Sequence, residues 1–300
     1  MRRKAPRKAP DARNIMPTTA PDRAKCILAV SDLHCGSIYG MLPPDFATQD
    51  GAPKIPNAGQ KYLWECWLDL AMRVAALPIL AVVVNGDSID GEERRSKGAE
   101  LCLPLLADQS ECAAVCLREL KHHIRSNPPF FVIRGMPYHD SEGGREAEAV
   151  AEKIGARRCI GYGAGRFCRR AMDLEHDGVI VNFSHGTSVA GGLYRATPPD
   201  REAVWSALAG KEGKVARADA VVRAHAHHFV HVEHPSKHAV IGPCWQLQTD
   251  YMGKNSAYRL LPDIGAVLIW MAGTAKRRHE DPIRIEKLLY DLPKIGTTKL

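Results

Sequence analysis

Short apolar runs bounded by polar residues recur along the chain and alternate with longer segments of helical pattern. Runs of this length, partly β-branched, predict buried β-strands. We expect such strands at 25–32, 79–87, 129–135, 178–186, 218–227, 238–247 and 265–272. Helices are expected at 61–77, 107–124, 144–156 and 200–210, and in the first two the apolar residues are three or four positions apart. The alternation favours an α/β layered domain.

Two segments lack this patterning. Residues 36–60 are rich in Gly and Pro and directly follow a candidate site motif, so we expect a loop or lid near the site. Residues 1–24 form a Pro/Ala-rich stretch that we expect to be a disordered tail. The remaining residues, 25–300, are expected to form a single domain.

Charge is concentrated in that tail. Seven basic and two acidic residues in 1–24 contribute +5 of the net charge of +7, which leaves the body of the chain nearly neutral. A basic tail can contact a phosphate backbone, although a solvated chain end has the same composition. The charge therefore leaves nucleic-acid binding open.

Nine cysteines are scattered along the chain without a C-x-x-C pair. This pattern indicates reduced thiols in a cytoplasmic protein and argues against a disulfide framework or a structural zinc site. No apolar window is long enough for a membrane span, and the basic start is not followed by the apolar region of a secretory signal. We expect no membrane partner.

Three histidines occupy positions 225, 227 and 228, directly behind an apolar run. Side chains two apart on a strand share a face, so His225 and His227 can aim at one point if the segment is extended or just leaving a strand. The pair indicates a metal site. The alternative is a polar strand end at the surface.

Five of the predicted strands end in side chains of the types that bind metals. Taken singly, each pattern also fits a turn or a hydrogen-bonded structural histidine. Five such endings in order favour one shared site at the edge of a sheet. The residues are Asp32 with His34, Asp87 with Asp90, His139 with Asp140, His185, and His225 with His227.

This series resembles the calcineurin-like metallophosphoesterases, whose motifs are Asp-x-His, Gly-Asp-x-x-Asp, Gly-Asn-His-Glu/Asp, His and Gly-His-x-His. The resemblance covers residues 26 to about 228, and the arrangement is also similar to that of phage-encoded members. It implies a four-layer αββα sandwich with two mixed β-sheets. It also implies a metal-dependent phosphoesterase, a hydrolase with a binuclear metal centre.

The resemblance implies a role for each motif residue. Asp87 would bridge two metal ions, and His139 would be the general acid. Asp90 would not bind a metal ion itself but would orient a side chain that does. The first ion would be held by Asp32, His34 and His227, and the second by His185 and His225.

The third motif departs from the family pattern. The segment from Gly135 to Asp140 reads GMPYHD, so the asparagine ligand is missing and two residues are inserted before His139. Neither Met nor Tyr supplies the hard oxygen that is lost. Water, or a side chain such as Asn85 or Gln248, would have to complete the second metal's ligand shell.

A mixed His/Asp ligand set suits Mn, Fe or Zn better than Mg or Ca, and we expect two divalent ions, with manganese preferred. Such ions favour a metal-bridging hydroxide that attacks a phosphodiester or phosphomonoester in line. The expected partner is a phosphorylated substrate. A nucleotide or nucleic acid is a candidate, since a His-Asp ending of the third motif also occurs in the family's double-strand-break repair nucleases.

Two alternatives remain. The altered third motif also fits a catalytically impaired metal-binding scaffold of the same fold. A metal amidohydrolase on a (β/α)₈ barrel uses His-x-His as well, but at its first strand, whereas here Asp-x-His comes first and His-x-His last. The order of the motifs therefore favours the phosphoesterase.

Overall fold

The structure is a computed structural model, and all seven predicted strands and all four predicted helices occur in it. The predicted basic tail lies outside the described residues, apart from Ala24. The structure describes residues 24–93, 96–141, 143–160, 164–187, 194–255, 261–272 and 281–293.

The first sheet has six strands in the order β11-β10-β1-β2-β3-β4. Strands β1 to β4 run parallel to one another, whereas β10 pairs antiparallel with both β1 and β11. The sheet is therefore mixed. Its strands are β1 (Lys25–Val30), β2 (Ile79–Asn85), β3 (Phe130–Ile133), β4 (Cys168–Arg169), β10 (Ile264–Met271) and β11 (Ile283–Tyr290).

The second sheet has five strands in the order β5-β6-β7-β9-β8 and is also mixed. Its three central strands are parallel, and both edge strands pair antiparallel with their neighbours. The strands are β5 (Ala171–His176), β6 (Val179–Ser184), β7 (Ala220–Arg223), β8 (Val230–His234) and β9 (Lys237–Ile241).

The two sheets pack face to face. Ile27 and Val83 of the first sheet share one buried cluster with Phe183 and Val222 of the second. Alternate residues of β1, such as Leu28, face outward into a larger cluster with the helices. Three helices cover this outer face: α1 (Ala58–Val74), α2 (Leu106–His123) and α4 (Arg145–Lys153).

The outer face of the second sheet is covered by α5 (Thr197–Lys211), whose Ala203 is buried against Val221 and Ala239. The layers are therefore helix, sheet, sheet, helix, and the predicted αββα sandwich with two mixed sheets is confirmed. Two short helices complete the fold: α3 (Pro137–Asp140) and α6 (Asp250–Asn255).

Helix α1 begins three residues before the predicted start because Asn57 caps it. The Asn57 side chain accepts a hydrogen bond from the Gln60 N–H at 2.9 Å, and Oε1 of Gln60 accepts from the Asn57 N–H at 3.0 Å. This reciprocal capping box satisfies two backbone donors that a helix start otherwise leaves open.

The segment before α1 packs against the core. Met41, Leu42 and Phe46 are buried there, and Sγ of Cys112 contacts the backbone oxygen of Met41 at 3.6 Å. Of residues 36–57, Ser37 lines the cavity over the site.

All nine cysteines are free, and eight of them are buried. None of the helices in the described ranges is both long and apolar enough to cross a membrane.

Candidate metal centre

The predicted site residues lie where the carboxyl ends of strands from both sheets meet. Asp32 and His34 follow β1, and Asp87 follows β2, whereas His185 follows β6. The histidine pair follows β7, which ends at Arg223 and not at the predicted residue 227. His225 and His227 therefore occupy a bend beyond the strand, and the extended alternative for this pair was wrong.

The first group of side chains contains Asp32, His34 and His227. Nε2 of His34 lies 3.1 Å from Nε2 of His227. Oδ1 of Asp32 lies 3.3 Å from Nε2 of His227 and 3.9 Å from Nε2 of His34. All three residues are buried, and their ligand atoms converge closely enough to hold one metal ion.

The second group contains Asp87, His185 and His225. Oδ2 of Asp87 lies 2.8 Å from Nε2 of His185 and 3.7 Å from Nδ1 of His225. Nε2 of His185 is also 3.8 Å from Oδ1 of Asp32, so the two groups are adjacent. The structure thus brings all six predicted ligands together.

His139 lies beside both groups despite the two inserted residues. Its Nε2 is 3.9 Å from Oδ2 of Asp87, and its ring centroid is 4.5 Å from that of His34. Pro137 is the first residue of α3, which turns the chain so that His139 faces the site. This helical turn accommodates the two inserted residues, so His139 still lies at the site.

Hydrogen bonds set the tautomers of three histidines. Nδ1 of His185 donates to the backbone oxygen of Asn85 at 2.6 Å, and Nδ1 of His139 donates to the backbone oxygen of Asp90 at 2.6 Å. Nδ1 of His34 lies 2.9 Å from Oδ1 of Asp90. Each of these bonds leaves Nε2 directed at the site, which for His34 and His185 is the orientation that metal binding requires.

Two buried polar atoms that face the site have no hydrogen-bond partner among the described residues: Oδ1 of Asp32 and Nδ1 of His225. Buried polar atoms without a partner are costly, and Asp32 and Asp87 are two fully buried carboxylates. A bound divalent cation would compensate both the charge and the missing contacts. The residues present therefore fit a metal ion.

The backbone of the site is unusual. Asp32, His34, Asp87, His225 and His227 all have positive φ, between 45° and 71°. This left-handed region is uncommon for residues other than glycine and costs free energy, which the surrounding structure must offset. Such strain concentrates at functional sites, and here it occurs at five of the six predicted ligands.

Two glycines permit the close approach of the strands. A methyl group on Gly135 would overlap with Oδ1 and the backbone nitrogen of Asp87, and one on Gly86 would overlap with the ring of His185. Gly86 also has φ of +87°. These positions require glycine for steric reasons.

At this site, burial and ion pairing shift the pKa values of the buried side chains in opposite directions. Burial raises the pKa of Asp32, but His185 and His227 lower it more strongly, to about 2. The pKa of Asp87 is held well below its usual range, against burial, chiefly by His185 and His139. Burial lowers the pKa of His185, but Asp87 and Asp32 raise it to about 9. The carboxylates are thus kept ionised.

The residues around the ligands differ partly from expectation. Asn85, predicted to support the site, does so through its backbone oxygen, while its Oδ1 has no hydrogen-bond partner among the described residues. Gln246 donates to Oδ1 of Asp90 at 3.3 Å. Nothing in the sequence singled out Gln246, because its role depends on the position of the chain after β9.

The altered third motif contacts Asp87 through its backbone. The N–H of Met136 donates to Oδ1 of Asp87 at 2.7 Å. Oδ2 of Asp140 accepts from the Gly135 N–H, while its Oδ1 has no partner among the described atoms. The sequence placed Asp140 in the motif but did not predict this buried carboxyl behind the second group.

A cavity of about 660 Å³ opens over the centre. Its floor includes His34, His139 and His225, and the exposed rings of Tyr138 and Tyr251 stand at its walls. Acidic and basic side chains also line it: Asp90, Glu93, Glu100 and Lys254. A cavity of this size suits a small organic ligand.

No protein-family model and no curated protein matches the chain. Among solved structures, it is similar to the Zn²⁺ complex of Vps29 from Entamoeba histolytica (12% identity, TM-score 0.39, covering 89% of this chain and 99% of that one). It is also similar to an archaeal phosphodiesterase (11%, 0.39, 88% and 99%). A third match is the NAD nucleotidase of Haemophilus influenzae (11%, 0.42, 90% and 50%).

Proposed function

We propose that this chain is a metal-dependent phosphoesterase that hydrolyses a phosphodiester or phosphomonoester. The observation that carries the proposal is the adjacency of two ligand groups, one around Asp32 and one around Asp87, within 3.8 Å of each other through His185. Two neighbouring cation sites are the arrangement that phosphoryl transfer to water uses.

The two groups of residues would hold two ions. Asp87 would contact both, since it belongs to the group with His185 and His225 and its carboxylate also lies within 4.8 Å of a ring nitrogen of His34. A carboxylate can bridge because it has two oxygens. When bound, the ions would neutralise the phosphoryl oxygens and lower the pKa of a water molecule. Manganese remains the preferred metal, with iron or zinc as alternatives.

His139 is the proposed general acid. Its Nδ1 is fixed by the backbone oxygen of Asp90, so its Nε2 faces the site and can deliver a proton to the leaving oxygen. That Nε2 lies 3.9 Å from Oδ2 of Asp87, beside the proposed bridging carboxylate. The same ring lines the cavity in which the substrate would bind.

The cavity favours a nucleotide-sized substrate over a long polynucleotide. The exposed rings of Tyr138 and Tyr251 offer flat apolar faces on which a base can stack. Glu93 and Glu100 at the wall would repel a continuous phosphate backbone, whereas one phosphate at the metal centre would avoid them.

The proposal is tested by assaying the purified full chain, loaded with Mn²⁺, Zn²⁺ or Mg²⁺, against bis-p-nitrophenyl phosphate, cyclic nucleotides, single-stranded DNA and double-stranded DNA. We expect metal-dependent hydrolysis of the small diesters, abolished in Asp87→Asn. Tight binding of metal without turnover of any ester would instead favour the metal-binding scaffold, for which Met136 in place of the family's asparagine is the supporting observation.

A further inference from the structure

A second cluster of metal-type side chains lies on the edge hairpin of the second sheet. His231 and Glu233 are two apart on β8 and therefore share a face, and Glu233 is directly opposite His238 of β9. One nitrogen from each histidine and one oxygen of Glu233 lie within 4.8 Å of one another. Strand pairing alone thus brings two imidazoles and a carboxylate together.

The cluster is separate from the metal centre. On β9, His238 pairs with Ala220, whereas Ile241 at the other end pairs with Arg223, after which the chain enters the centre. His238 is thus at the end of the strand remote from His225. Glu233 is exposed and His231 partly exposed, so an ion can reach the cluster from solvent.

The buried histidine is already oriented by a carboxylate. Nε2 of His238 lies 2.7 Å from Oδ2 of Asp281, at the start of the segment that leads into β11 of the first sheet. Its Nδ1 faces Nε2 of His231 at 2.9 Å. With its Nε2 proton donated to Asp281, His238 presents an unprotonated Nδ1 to the cluster, which is the carboxylate–histidine arrangement found behind metal ions.

We propose that His231, Glu233 and His238 bind a divalent transition-metal ion, with Asp281 as the residue that positions His238. Two imidazoles and one carboxylate form the ligand set that suits Zn²⁺, with a further position open to water. The ion replaces the hydrogen bond between the two rings, and His231 then carries its proton on Nδ1 in place of Nε2.

The bound ion would join the β8–β9 hairpin more firmly to the β11 side of the sandwich, because Asp281 belongs to the first sheet's last connection. Binding to the folded chain alone would raise its stability by mass action. Without an ion, the same residues form a hydrogen-bonded chain from Asp281 through His238 to His231. Metal titration distinguishes the metal-bound cluster from the hydrogen-bonded chain without an ion.

The test measures zinc bound per full-length chain by equilibrium dialysis and elemental analysis. At zinc concentrations that saturate the wild type, His231→Gln and Glu233→Gln should each bind one ion fewer. Asp281→Asn should retain the ligands but bind that ion about 10–100-fold more weakly. Glu233→Gln is the decisive variant because the Glu233 side chain is exposed and the hydrogen bonds of His238 to His231 and to Asp281 remain intact.

The matched control is His234→Gln. His234 is on the same strand but on the opposite face, where it bonds to Asp200 at 3.0 Å, so its replacement should leave the zinc count unchanged. Hydrolytic activity at the metal centre should also be the same in all four variants. An equal zinc count and affinity in wild type and Glu233→Gln would overturn the proposal.

Discussion

Oδ1 of Asp90 lies 2.9 Å from Nδ1 of His34, and both residues are buried. The two residues follow neighbouring parallel strands, β1 and β2, so strand order sets this contact. Burial raises the pKa of Asp90 to about 6, although the nearby His139 opposes the shift. Above that pH the carboxylate anchors His34 with Nε2 directed at His227.

Replacing Asp90 with Asn should therefore weaken metal binding about 10–100-fold, because the ring of His34 loses its charged anchor while every ligand remains. Isothermal titration with Mn²⁺ or Zn²⁺ measures the loss. Asp45→Asn replaces an exposed carboxyl away from the cavity. It is the control and should bind the metal as the wild type does. Unchanged affinity in Asp90→Asn would show that His34 is positioned without it.

Replacing His139 with Gln should lower kcat about 10²–10⁴-fold on a diester with a poor leaving group. The fall should be much smaller on bis-p-nitrophenyl phosphate, because p-nitrophenolate leaves without a proton. Metal affinity should change little, since His139 belongs neither to the group of Asp32, His34 and His227 nor to the group of Asp87, His185 and His225. Equal losses on both substrates would contradict the role of general acid.

Gly135→Ala should disrupt the centre. The added methyl group would overlap with Asp87, on the backbone as well as the side chain, so neither residue can move freely. We expect loss of metal binding together with a lower Tm. Gly253→Ala in α6 is the matched control, because nothing lies within 4 Å of the added methyl group there. Normal metal binding in Gly135→Ala would show that the loop before α3 can shift.

Asp140→Asn should stabilise the metal-free protein at pH 8 but not near pH 4. Burial and the nearby Asp87 carboxylate raise the pKa of Asp140 from its usual 3.8 to about 7. The folded chain therefore holds a proton that the unfolded chain has lost between these values, and its stability falls as pH rises from about 4 to 7. Asn cannot ionise and avoids this loss, which is at most about 1.4 kcal/mol for each pH unit in that interval.

Urea unfolding of the EDTA-treated protein at pH 4.5 and pH 8 measures this difference. Asp45→Asn replaces an exposed carboxyl and is the control, which should unfold as the wild type does at both pH values. If Asp140→Asn were equally destabilising at both pH values, the Oδ2 contact with the Gly135 N–H would outweigh the buried charge.

Apolar patterning predicted the strands that position the site, because buried strands such as Ile79–Asn85 consist almost wholly of apolar residues. It did not predict β8, whose sequence VHVEH is polar at an edge of the sheet, nor β5 with AMDLEH. An edge strand is partly exposed, so its sequence carries little hydrophobic signal. The two-residue β4 was too short to recognise.

The ligands were predictable because each follows a strand, and parallel strands deliver their carboxyl ends to one edge. The contacts that surround these residues were less predictable. The contact from Met136 to Asp87 uses a backbone N–H, and Asn85 also acts through its backbone, so the side-chain identities gave no signal. The cluster of His231, Glu233 and His238 on the β8–β9 hairpin was missed because it depends on the pairing of Glu233 with His238.

The left-handed backbone at Asp32, Asp87 and His225 affects how mutants of this centre should be designed. Alanine disfavours this conformation, whereas asparagine and glycine tolerate it. An alanine scan would therefore add a folding defect to the loss of a ligand, and the two effects would be inseparable. Asparagine replacements remove the carboxylate charge or the imidazole while keeping the local chain path, which makes them the appropriate series for dissecting the chemistry.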